Sequence, residues 1–150
     1  MLPAVAVIRS WTFGPEQGVP PRVAPFAHAT SAGETPYVTG QMPAGVDGRL
    51  VAGGIAAQTD RVMRNLERVL ELVVGGSLAD VVQVRGYLED WDDYAAFNTA
   101  YARWFPERLP SRRCIGATGL AVGAQVELDL VAWRPDGWGE GLAGPFVLMA

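Results

Sequence analysis

The sequence predicts a single-domain α+β sandwich, a mixed sheet with two helices packed on one face. Three observations lead there. Its periodic segments run as strands, helix, strand, helix and two strands, an order that lays helices across one sheet. The segment Gln125 to Trp133 alternates strictly, with Val126, Leu128, Leu130 and Ala132 on one side and Gln125, Glu127, Asp129 and Val131 on the other. One side then packs under the helices, and the other meets solvent or a neighbouring subunit. Finally, 150 residues suit one domain able to bury a core without disulfides or metal.

The elements follow in order. Ala4 to Phe13 is a β-rich run, and the prolines at 15, 20, 21 and 25 make Gly14 to Pro25 a loop. Phe26 to Ser31 and Tyr37 to Gly40 read as two short strands around a Ser-Ala-Gly-Glu turn, followed by the Asp47-Gly48 turn signal. From Ile55 to Val74 the period changes. Ile55, Val62, Leu66, Val69, Leu70 and Val73 recur at helical spacing with arginines and glutamates between them, and Gly75-Gly76 ends the helix. Asp80 to Leu88 is apolar and β-branched, a strand. Asp90 caps a second helix whose face carries Tyr94, Phe97, Tyr101, Trp104 and Phe105, until Pro106 stops it. Arg113 to Ala117 and Gln125 to Trp133 complete the sheet. Arg134 to Ala150, rich in glycine, reads as an appended tail with an apolar end, Pro145 to Met149.

Composition narrows the chemistry. All twelve basic residues are arginine, which excludes a lysine Schiff base, a pyridoxal lysine and a phosphate-loop lysine. A net charge of −4 without a basic stripe argues against nucleic acid as a partner. One cysteine and one histidine cannot furnish a structural zinc site, and the lone cysteine fits a reducing compartment. Neither a signal peptide nor a membrane span is expected, so the expectation is a cytoplasmic protein. Charged residues are only 19% against 49% hydrophobic, too few to clothe an isolated surface, so an oligomer is expected.

Leu109-Pro110-Ser111-Arg112-Arg113-Cys114 places an arginine on a proline-restrained loop just before a strand, with Glu127 fifteen residues beyond Arg112. Arginine presents a planar fork matching a carboxylate, and a glutamate can hold or deprotonate a water. If the last two strands form a hairpin, the pair lies within reach. Such a pair suits capture of a small carboxylic acid and hydrolysis beside it. Each residue also has a plainer reading. Arg112 could be a surface arginine lying along Pro110, and Glu127 a solvated strand residue like Asp129. Cys114 tempts a nucleophile reading but, with no histidine near it in sequence, reads as a buried hydrophobe. His28 reads as a hydrogen-bonded structural histidine, and Arg113, alternating with Arg112, as a surface or inter-subunit residue. Gly53-Gly54 lacks the spacing and lysine of a phosphate loop.

Gly40-Gln41-Met42-Pro43, Gly53-Gly54-Ile55 with Gln58-Thr59, Asn65-Leu66, Val69-Leu70, Asp80-Val81-Val82, Tyr87-Leu88, Phe97-Asn98 with Tyr101 and Phe105, Pro110-Ser111-Arg112 and Val126-Glu127 occur in an order that resembles the Rid (YjgF-like) reactive-intermediate deaminase family. The match covers about residues 24–134, leaving an extended N-terminus (1–23) and a C-terminal tail (135–150) on a single Rid-like domain. The resemblance implies a homotrimer of chorismate-mutase-like subunits with clefts between them, and hydrolysis of 2-enamine or 2-imine acids to keto acids and ammonia with neither metal nor cofactor. It implies a carboxylate-binding Arg112, a water-positioning Glu127, a Cys114 whose backbone faces the ligand, and Thr39, Gly40 and Asn98 lining or supporting the cleft. Phe26 stands where a tyrosine is common, so a hydroxyl contact is lost. Arg113 replaces a small polar residue. These departures open the substrate towards a more apolar or unsaturated acid, of the 2-aminomuconate kind. Two alternatives stand beside the enzyme: a non-catalytic trimer binding small carboxylates or a partner protein, and another reaction, such as a chorismate-type rearrangement, on the same scaffold.

Overall fold

The computed structural model describes residues 8–134. Within them lie six strands, β1 (Ile8–Trp11), β2 (Ala29–Ala32), β3 (Thr35–Gln41), β4 (Val81–Leu88), β5 (Ser111–Gly116) and β6 (Val126–Ala132), and two long helices, α1 (Gly54–Val74) and α2 (Tyr94–Ala102). The expected strand residues before Ile8 and the tail from Pro135 onward fall outside this range.

The strands form one mixed sheet in the order β1-β2-β3-β6-β4-β5. Only β4 and β5 run parallel, because α2 carries the chain across between them; parallel neighbours need such a crossover. β6 lies between β3 and β4, antiparallel to both. The hairpin expected of the last two strands is therefore absent, with the whole of β4 between them. The reason lies in β6 itself. Its buried face, Val126, Leu128, Leu130 and Ala132, is the most regularly apolar in the chain, and the centre of the sheet under α1 covers it best. β5, mostly exposed, takes the edge.

Both helices pack against the same face. α1 delivers Val62, Met63, Leu66, Val69, Leu70 and Val73 to the core and α2 delivers Phe97 and Tyr101, where they meet Val84, Leu88 and the buried side of β6. Trp104 braces the two helices, its indole N–H donating to Asp60 at 2.9 Å. Two buried polar residues of α1 also have duties. Asn65 donates to the carbonyls of Met42 and Ala44 at 3.0 and 2.9 Å, fixing the chain after β3, and Gln58 accepts from the backbone N–H of Gln125 at the entry to β6. Gly75 closes α1 in the left-handed region (φ 58°), its N–H returning to the Glu71 carbonyl.

Two of the boundaries that differ from the sequence reading bear on the site. β2 begins at Ala29, because Phe26 to His28 are drawn into the proline loop: Arg22 donates to the Phe26 carbonyl and His28 bonds the Pro20 carbonyl. β5 begins at Ser111, since its parallel ladder with β4 already pairs Gln83 with Ser111 and Val84 with Arg112. Arg112 is thus a strand residue, held more rigidly than a loop residue would be.

The connection from β5 to β6 holds one backbone outlier. Val122 sits at φ 55°, ψ 17°, a conformation that costs a β-branched residue about 1–3 kcal/mol. Asparagine tolerates this region, so Val122→Asn raises the thermal midpoint by a few degrees, the equivalent of about 1 kcal/mol. An unchanged or lower midpoint contradicts the strain.

Candidate active site

The residues singled out in the sequence fall into two clusters. The first lies where β5 meets α2. Tyr94, Phe97, Asn98 and Tyr101 share one face of the helix by their spacing of three, four and seven. The guanidinium of Arg112 inserts among them, 4.8 Å from the Tyr101 ring centroid, 5.2 Å from Phe97 and 5.8 Å from Tyr94. Its Nη2 donates to Asn98 Oδ1 at 2.8 Å and to Tyr94 Oη at 3.2 Å. Nε and Nη1 have no hydrogen-bond partner among the described residues. The cation is held by rings on one side and keeps donors to spare on the other, the condition of an anion site.

Cys114, two residues on, shares the side of Arg112. A Cβ on Gly86 of β4 would stand 3.4 Å from its Sγ and 3.0 Å from Leu128, so the cysteine lies along the helix-covered face. Burial pushes its thiol pKa up, against the opposing pull of Arg112, and a protonated thiol is a poor nucleophile. Burial likewise raises Tyr101 to about 12, again opposed by Arg112.

The second cluster lies on β3 and β6. Glu127 alternates with Val126 and Leu128 and therefore faces away from the helices. An irregularity in the β3–β6 pairing between Val38 and Gln41 inserts Thr39 and Gly40 opposite Asp129, and the Thr39 N–H anchors it on the His28 carbonyl at 3.0 Å. Gly40 then lies directly beneath Glu127, where any Cβ would collide with the carboxylate. Gly40 has no positive φ, so glycine serves here for space rather than for backbone freedom. Gly40→Ala should accordingly leave the fold intact, displace the Glu127 carboxylate and lower turnover by about tenfold or more, as misplacement of a reacting group does. Kinetics of Gly40→Ala, Glu127→Gln and the double variant check this; a double variant no worse than Glu127→Gln alone is expected, and additive losses contradict it.

Glu127 is half-buried, and its carboxylate has no hydrogen-bond partner among the described residues. Desolvation raises its pKa, and Asp129 adds to the rise. Asp129 shares this face but is already engaged: the exposed Arg85 donates to it at 2.7 Å. That difference separates the two acids, which their shared strand face could not. Beside Gly40 is a cavity of about 40 Å³ lined mainly by apolar groups, among them Phe26, Met42 and Val122. His28 lies behind it, fully engaged. Its Nδ1 accepts from the Phe13 N–H at 3.0 Å, which assigns Nε2 as the donor to the Pro20 carbonyl at 3.2 Å, and burial lowers its pKa. It is a structural neutral histidine.

Arg112, Asn98 and Cys114 thus come together on one face of the sheet, and Glu127, Gly40, Thr39 and Phe26 on or around the other. Within one chain Arg112 and Glu127 do not meet, because β4 separates their strands and their side chains leave opposite faces. Arg113, opposite Arg85 in register, is exposed on the side of Glu127. Tyr94 reads from the sequence only as part of an aromatic core face, yet it is half-buried and its hydroxyl reaches Arg112. The usable signal was a tyrosine, rather than a phenylalanine, at the first position of that face. Among the described residues no group of three metal-binding side chains occurs, and no helix is long and apolar enough to cross a membrane.

Comparison with known proteins gives a consistent picture. The family model described as endoribonuclease L-PSP matches residues 17–134. The 3-aminoacrylate deaminase RutC of Acinetobacter baylyi is 38% identical over 117 residues, covering 77% of this chain and 92% of that protein. Protein HMF1 of Saccharomyces cerevisiae is 32% identical over 120 residues, 80% of this chain and 92% of its own. The crystal structure of RidA from Psychrobacter sp. PAMC 21119 superposes with a TM-score of 0.74 at 28% identity, covering 79% of this chain and 95% of that one.

Proposed function

Since this chain belongs to the Rid (YjgF/RutC) family, also described as endoribonuclease L-PSP, we propose that it is an enamine/imine deaminase releasing ammonia from a carboxylate-bearing 2-enamine or 2-imine acid. The observation that carries the reading is the pair of complementary half-sites. Arg112 holds spare donors for an anion, and Glu127 offers an unpaired, half-buried carboxylate whose raised pKa suits proton transfer nearer neutrality. RutC, whose name specifies deamination of 3-aminoacrylate, supports the same chemical class.

The half-sites lie on opposite faces, so a whole site needs two copies, Arg112 from one and Glu127 from the next. A closed ring of identical copies, here a trimer, gives every copy both roles. Tyr37 and Ile115, 50% and 46% exposed on the face away from the helices, support a second copy covering that surface. The lone, half-buried Cys114 suits a reducing compartment, and the cytoplasm is part of this reading.

The chemistry is short. Arg112 fixes the carboxylate, setting the α-carbon of the iminium tautomer against a water held by Glu127. Glu127 takes a proton as the water oxygen bonds to carbon. It then returns that proton to the amino nitrogen of the tetrahedral adduct; as the C–N bond breaks it takes up the hydroxyl proton, leaving the carbonyl, and passes it to the departing ammonia. Iminium and water become keto acid and ammonium. Phe26, Met42 and Val122 favour an apolar or unsaturated remainder on the substrate. RNA cleavage, named in the family description, is less well served, because the only histidine has both ring nitrogens engaged inside the protein.

Ammonia release from enamine acids generated in situ by an amino-acid dehydratase tests the reading. Release well above the spontaneous rate is expected. Keto-acid binding with no acceleration for any enamine points instead to a non-catalytic carboxylate-binding protein.

A further inference from the structure

We propose that Tyr94 is a specificity-determining residue, its hydroxyl donating a hydrogen bond to the substrate carboxylate beside Arg112. The inference rests on the reading that Arg112 holds that carboxylate. Tyr94 Oη accepts from Arg112 Nη2 at 3.2 Å, so its own O–H proton points elsewhere, and no acceptor among the described residues takes it. Arg112 is in the same position: Nη2 is spent on Asn98 and Tyr94, while Nε and Nη1 are open. Asn98 uses only its carbonyl oxygen on Arg112, which leaves its amide N–H groups without a partner among the described residues. Three groups with donors to spare and a positive charge but no negative one among them describe a niche for an oxyanion.

Tyr94 is also held in place. Its ring stacks on Trp91 with centroids 4.4 Å apart and planes 14° from parallel. Trp91 in turn lies against the end of β5, since a Cβ on Gly116 would stand 3.9 Å from its ring. Half-exposed Trp91, wedged between the Tyr94 ring and Gly116, therefore holds the phenol beside Arg112. A carboxylate entering the guanidinium fork displaces the longer of the Nη2 contacts, the one to Tyr94. The freed hydroxyl then serves the same anion. It supplies a phenolic contact to the ligand, which Phe26 cannot.

Titration calorimetry with 2-oxobutanoate on the full chain, comparing wild type, Tyr94→Phe and Arg112→Ala, tests this. Tyr94→Phe is expected to bind about tenfold more weakly, the size of one hydrogen bond to a charged group, with an unchanged thermal midpoint. In turnover it should raise KM and leave kcat alone, because the contact is made to ground state and transition state alike. Equal affinity of Tyr94→Phe and wild type, with binding weakened in Arg112→Ala, overturns this inference and leaves the reading of Arg112 standing. Unchanged binding by Arg112→Ala overturns both.

Discussion

Arg112→Ala lowers kcat/KM for enamine-acid hydrolysis by about 10²–10³-fold, the loss of two charge-assisted hydrogen bonds to the substrate carboxylate. That magnitude follows from the surroundings of the guanidinium. Three aromatic rings hold the cation, and Asn98 takes one side of Nη2, so the fork is positioned before substrate arrives. Little reorganisation is then needed on binding. Arg112→Lys keeps the charge and the cation–π contact but loses the planar fork, and falls between the two. Steady-state kinetics on the three proteins measure the effect. Activity in Arg112→Ala equal to wild type removes carboxylate capture from the mechanism.

Glu127→Gln lowers kcat by about 10²–10⁴-fold, the usual contribution of a positioned general base, with a smaller change in KM. The pH profile carries the sign. Desolvation, then Asp129, raises the Glu127 pKa above its ordinary 4.5, so wild-type activity falls on the acid side at a pH above that value. Glu127→Gln lacks that limb. Stability moves the other way. A group whose pKa is higher in the folded protein contributes stability that is full below the unfolded value and lost as pH rises through the folded one. Once ionised, the unpaired Glu127 therefore opposes folding, and at a pH above its folded pKa Glu127→Gln should melt at a higher temperature than wild type. A variant slower yet more stable marks a residue kept for function. A Glu127→Gln protein that is fully active, or melts lower, contradicts the assignment.

Much of this fold was legible because its signals are local. The 3.6-residue period of α1, the glycine that ends it and the two-residue period of β6 each follow from backbone geometry acting over a few neighbours. Sheet order is different. Whether β6 pairs with β5 or inserts between β3 and β4 depends on which buried face finds the best cover, and that competition involves partners as far apart in the chain as Tyr37 and Val131. Spacing along the chain therefore suggests a direct Arg112–Glu127 approach, which the inserted β4 forbids. The start of β5 was hidden for a related reason, since the parallel ladder with β4, invisible in the local sequence, draws Ser111 and Arg112 into the strand. Tyr94 illustrates a third limit. Its apolar ring follows the helical period and reads as core, while its function is in the terminal oxygen, whose surroundings only the fold creates. Glu127 was favoured over Asp129 by the resemblance alone, not by its place on the strand. Both alternate on the same face, and only the position of Arg85 shows which acid is already paired.

A working site, on this reading, joins Arg112 of one copy to Glu127 of another. Mixing Arg112→Ala and Glu127→Gln proteins, after unfolding and refolding them together, tests it directly. Each variant alone keeps at most about one hundredth of wild-type activity. If sites form between copies of a ring of three, random mixing at equal amounts restores about one quarter of wild-type activity, because mixed rings contain sites that draw an intact arginine and an intact glutamate from different chains. No recovery from mixtures shown to contain mixed oligomers would mean that both residues act within one chain, or not at all, and would contradict a site shared between copies.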